Sequence, residues 1–164
     1  MAHEWHAELD GVGAIGAALV GGVFFTFSTF VATALRRTAP AHAMPAMQEM
    51  NRAAPSSPLF MAALGGTAAV CVAIAVSAIR RLDEPVGRYE LAASALYLTC
   101  VAVTAAFNVP RNEALAVVDP TGQEAAGAWA RFLPTWVAWN HVRTLTALAS
   151  SATFVLALRQ RWRA

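Results

Sequence analysis

From Gly11 to Leu35 no side chain carries a charge, and three more apolar runs follow it along the chain. At 1.5 Å per helical residue, about 20 apolar residues cross a hydrocarbon core of ~30 Å, so the first run is long enough to span it with some tilt. Four such spans would use about half of the chain and leave two short loops and one longer one. The composition agrees: of 164 residues, 57% are hydrophobic and 13% charged, where an ordinary soluble domain has about 25% charged. Disorder and a disulfide scaffold are excluded. Nucleic-acid binding is excluded as well, because the twelve basic residues are scattered arginines that form no stripe along which a phosphate backbone could run.

The flanks set the boundaries. The ten residues before the first run hold Glu4, Glu8 and Asp10 and no arginine, unlike the basic start of a cleaved signal peptide, so this segment is expected to stay as a helix over 11–35. Pro55 and Pro58 open a second span over about 58–79, which stops at Arg80-Arg81. The third is expected over about 89–107, ending at Asn108-Val109-Pro110, and the fourth over about 135–158, ahead of Arg159, Arg161 and Arg163. Two amphipathic pieces are expected in the loops, Pro45–Asn51 and Gln123–Phe132, the second after a turn at Asp119-Pro120-Thr121-Gly122. The expected fold is therefore all-α, an integral membrane four-helix bundle forming one domain over 1–164, with both termini on the same side.

Tryptophan placement fits that parity, with Trp5 and Trp162 at the termini side and Trp129, Trp136 and Trp139 as an interfacial belt on the other. Orientation stays open, since six arginines would lie inside and five outside with the termini inside. Arginine without lysine, in an alanine-rich chain, points to a bacterial source and hence a cytoplasmic membrane. Cys71 and Cys100 read as small buried hydrophobes. Gly11, Gly13, Gly16, Gly21, Gly22, Gly65 and Gly66 suit close helix packing, within the bundle or between copies in a homo-oligomer.

An ionisable group inside a membrane helix is a functional-site candidate by its cost alone. Arg143 is the clearest, about two turns into the fourth span. At 100° per residue Trp136, Trp139, Asn140 and Arg143 share about a quarter of the helix circumference, while His141 points away by roughly 160°. Gln48, Asn51, Asn108 and Asn112 lie on the same side of the membrane by topology. Asn51, Asn108, Asn112, Asn140, His141 and Arg143 are thus able to converge at one mouth of the bundle.

Four stretches carry a family resemblance. They are Phe24-Phe25-Thr26-Phe27-Ser28-Thr29-Phe30, Ala46-Met47-Gln48-Glu49-Met50-Asn51, Asn108-Val109-Pro110-Arg111-Asn112 and Trp139-Asn140-His141-Val142-Arg143-Thr144. Over nearly its whole length the chain resembles the anthrone oxygenase family, also called the DUF1772 membrane proteins. That resemblance implies a four-span fold and oxidation of anthrones to anthraquinones with molecular oxygen.

The residues favour a route without cofactor. No Glu-x-x-His pairs of a di-iron bundle occur, and no glycine-rich dinucleotide fingerprint. His42 and His141 without a carboxylate partner make a thin metal site, although a metal or haem stays open, while His3 and His6 sit in the tail. An anthrone's benzylic proton is acidic, and its anion can itself reduce oxygen. His141 is then the expected base, with Arg143, Asn108, Asn112 and Asn140 as donors to the oxyanion. Trp136, Trp139 and Phe27, with Asn51 and Gln48, would bind the hydrophobic aromatic substrate. The alternative is a non-catalytic protein that binds or carries a hydrophobic molecule, or a partner subunit of a membrane complex.

Overall fold

The four apolar runs become four helices long and apolar enough to cross a membrane: α1 (Trp5–Arg37), α3 (Pro58–Arg81), α4 (Pro85–Ala116) and α5 (Ala125–Arg161). A shorter helix, α2 (Pro40–Ser56), joins the first two. The computed structural model describes residues 2–163, with side chains from Trp5 to Arg163; His3 lies outside the described side chains. No strand occurs among the described residues. α5 is the central helix, packed along α1 on one side and α4 on the other, and α3 closes the ring between α4 and α1.

Small residues set the helix spacing. Ala17, Ala93 and Ala147 are completely buried around Tyr97 and Phe154, and Cys71 and Cys100 fill the same core as free thiols. A Cβ on Gly13 would stand 3.0 Å from the Phe154 ring, so that glycine lets α1 approach α5. Gly11, Gly22, Gly65 and Gly66 have no neighbour within 4 Å of a Cβ position and do not serve the bundle's packing in this way.

Three helices contain a π-helical turn, at Phe27–Val31, Ala62–Gly66 and Thr104–Asn108. The last of these corrects the expected end of the third span. The wider turn re-spaces the backbone bonds, and Pro110 then falls in the first turn of the next segment, where a missing N–H is tolerated. The helix therefore runs on to Ala116. Similarly, Pro40 rather than Pro45 opens α2, and the expected loop piece Gln123–Phe132 fuses with the fourth span into one 37-residue helix.

The turn at Asp119 forms as expected, with Thr121 N–H and hydroxyl both donating to Asp119 Oδ1, at 2.9 and 2.8 Å. Those two bonds hold the Asp119 carboxyl below the usual carboxylate range.

At the termini end, four charged groups tie the bundle together. The completely buried Glu90 accepts from Arg81 Nη2 at 2.7 Å and from Arg161 Nη2. Arg161 Nε donates to Asp10 Oδ2 at 3.2 Å, and Arg81 also reaches Ser77 Oγ at 3.3 Å, with His6 Nε2 3.1 Å from the same hydroxyl. Every span contributes a residue, which puts both chain ends on one side. At the other end Trp129 and Trp136 are buried, with Met44, Met47, Leu115 and Leu133. This corrects the expected belt: those two rings hold α2 onto the bundle instead of meeting lipid.

Candidate functional site

Beneath α2, at the end away from the ion cluster, lies a cavity of about 500 Å³. Its walls are largely apolar. α1 supplies Val23, Phe24 and Phe27, and α3 supplies Phe60, Met61 and Leu64; Met50, Ala54 and Pro55 of α2 form the roof. All three helices with π-helical turns border it, through Phe27, Leu64 and Thr104.

Arg143 is the buried cation of this wall, only 6% exposed. Its Nη2 donates to Asn140 Oδ1 at 2.5 Å, and its guanidinium lies 4.1 Å from the Phe24 ring centre and 5.2 Å from that of Trp136. Its Nε is buried with no hydrogen-bond partner. Asn140 stands behind it, completely buried, its amide donating to Phe24 O at 2.7 Å and Ser28 Oγ at 2.8 Å. Ser28 Oγ is in turn 3.0 Å from Thr144 Oγ1, which donates to Asn140 O. Asn140 thus fixes α1 to α5 and aims the guanidinium.

The two asparagines of α4 meet Trp136. Asn112 Oδ1 accepts from the Trp136 indole N–H at 2.7 Å, and the buried Asn108 amide donates to Trp136 O at 3.3 Å, its own Oδ1 left without a partner. Gln48 and Asn51 line the cavity from α2. The Gln48 amide donates to Leu115 O and Val118 O at 2.9 and 3.0 Å, which ties α2 to the end of α4. Asn51 Nδ2 is buried and unpartnered.

The structure therefore brings together Arg143, Asn140, Asn108, Asn112, Asn51, Gln48, Trp136 and Phe27. Trp139 is not at the cavity; it stacks on Phe107, with ring centres 3.6 Å apart. His141 does not join either. It is exposed on the outward face of α5, as its angular offset from Arg143 requires, and this takes it away from the role of base in the cavity. His42 is exposed on α2. Among the described residues no group of three or more His, Cys, Asp and Glu is placed to hold a metal.

Ser28, Thr144 and Glu113 were not apparent as site residues from sequence. Ser28 sits inside the aromatic run of α1, but nothing in that run reveals that Asn140 is its neighbour.

The fold and cavity define a four-span helical membrane protein with a mostly apolar chamber and a buried guanidinium in its wall. A family model described as anthrone oxygenase matches residues 57–153, more than half of the chain, and the chain belongs to the anthrone oxygenase family. The match includes the Asn108–Asn112 and Trp139–Thr144 motifs, whereas the aromatic run of α1 and the Met-Gln motif of α2 lie outside it. No curated protein and no solved structure matches the chain.

Proposed function

We propose that the cavity binds a hydrophobic phenolic or polycyclic compound and oxidises it with molecular oxygen, as the family name implies for an anthrone. The observation that carries this is the unpartnered Arg143 Nε–H in the wall of an apolar chamber, with the unpartnered amide of Asn51 lining the same chamber. A buried donor without an acceptor is costly, and the oxygen of an enolate is the acceptor it lacks. The substrate loses a benzylic proton, and its negative charge collects on the carbonyl oxygen facing Arg143. The anion passes an electron to O2, the two radicals join at the benzylic carbon, and protonation gives a hydroperoxide. Loss of water then leaves the second carbonyl. One oxygen atom enters the product and the other leaves as water, so no further reductant is needed. The apolar walls shield the anion from water, and Trp136 and Phe27 offer faces for a flat ring system.

Detergent-purified protein is expected to consume oxygen with a simple anthrone faster than the uncatalysed reaction, with anthraquinone appearing by absorbance. Saturable binding without turnover would instead make this a carrier. His141→Ala is expected to keep the rate within about twofold, the effect of an outward-facing substitution. A collapse of the rate in a folded variant would return His141 to the chemistry.

A further inference from the structure

We infer that Glu113 is the proton acceptor of this site. The inference rests on the oxidative reading above, because that reaction starts by removing a proton from carbon. A base must reach the cavity to do so. Asp10 and Glu90 are held in the ion cluster at the opposite end. Glu49 is engaged by Arg52 at 2.7 Å on the exposed face of α2. Among the described residues lining the cavity, Glu113 is the one carboxylate; the other ionisable groups there are the cations Arg52 and Arg143. Gln48, Asn51 and Asn112 are amides and accept no proton at neutral pH.

Its position suits the task. Glu113 follows Asn112, whose Oδ1 is pinned by the Trp136 indole, so this turn of α4 is held against α5 at the level of Trp136. Arg143 lies seven residues further along α5, about 10 Å deeper at 1.5 Å per residue. The base is thus at the mouth and the oxyanion donor is deep. A substrate whose carbonyl and reacting carbon occupy opposite edges of one ring would meet both at once. Glu113 is also exposed on the surface of the chain, in the last turn of α4 before the loop of Asp119, so the proton it takes has a way out of the cavity. A carboxylate is a weak base toward carbon, but it suffices where positioned donors stabilise the enolate.

The test uses the full chain in detergent, with initial oxygen uptake from a simple anthrone at constant pH. Glu113→Gln is expected to lower the rate by about 100-fold or more, the usual worth of a positioned base. Binding of the product anthraquinone should be unchanged, Glu113→Asp should recover part of the rate, and added formate should rescue Glu113→Ala, whose truncated side chain leaves room for it, but not the wild type. A rate for Glu113→Gln within about twofold of wild type would overturn the assignment, as would lost anthraquinone binding or a Glu113→Ala rate that formate leaves unmoved. Absence of uptake by the wild type would overturn the oxidative reading itself, a result distinct from any of these.

Discussion

Arg143→Ala is expected to slow oxygen uptake by about 100- to 1000-fold, the usual cost of removing a preorganised donor to a developing oxyanion. The fold should survive the change. Asn140, not Arg143, makes the bonds from α5 to Phe24 O and Ser28 Oγ, and those remain when the guanidinium is gone. Arg143→Lys keeps the charge but loses the planar fork and its Nε–H, so it should recover little. Oxygen uptake and thermal unfolding measured on the same preparations separate rate from stability. A variant that unfolds early but turns over normally would make Arg143 a structural tie and favour the carrier.

Glu90→Ala should show the opposite pattern, a large loss of stability at the end remote from the cavity. Two guanidiniums, Arg81 and Arg161, share this completely buried carboxylate, and Asp10 would be the one acid left beside them. Removing one member of a buried ion pair costs about 3–5 kcal/mol, because the remaining charge keeps its desolvation penalty without its partner. For a chain of this size that is a fall in Tm of roughly 6–20 °C. Combining it with Arg161→Ala should cost less than the sum of the two, since each removes a charge the other leaves unpaired. A loss below about 1 kcal/mol would show that water already reaches the cluster and carries much of the solvation.

The spans were legible because charge is excluded from them and bounds them, which is a property of the chain alone. Arg143 and Asn140 were legible for a related reason: helical geometry places them on one face without knowledge of any neighbour. The partners of those residues were not. Ser28 meets Asn140, Trp136 meets Asn112 and Arg161 meets Glu90 only because α5 lies between α1 and α4, and helices that are apolar all round carry no moment that says which neighbour they face. The direction of His141 was legible in the same way as that of Arg143, about 160° away from it, although its imidazole chemistry suited a base. At Asn108–Pro110 the local signal for a helix end was sound chemistry, but a π-helical turn absorbed it.

The ion cluster also sets an order for biosynthesis. Asp10 leaves the ribosome 151 residues before the arginine that neutralises it. At about 5–20 residues per second that interval is roughly 8–30 s. Glu90 is better served, since Arg81 precedes it by nine residues and travels into the membrane with the same hairpin. The acid at the head of the first span therefore waits without its Arg161 partner until the fourth span arrives. A nascent chain halted before Arg161 would hold all four apolar segments and the Asn140 and Ser151 bonds between the first and the last, yet its Asp10 would still lack the cation that closes the termini end.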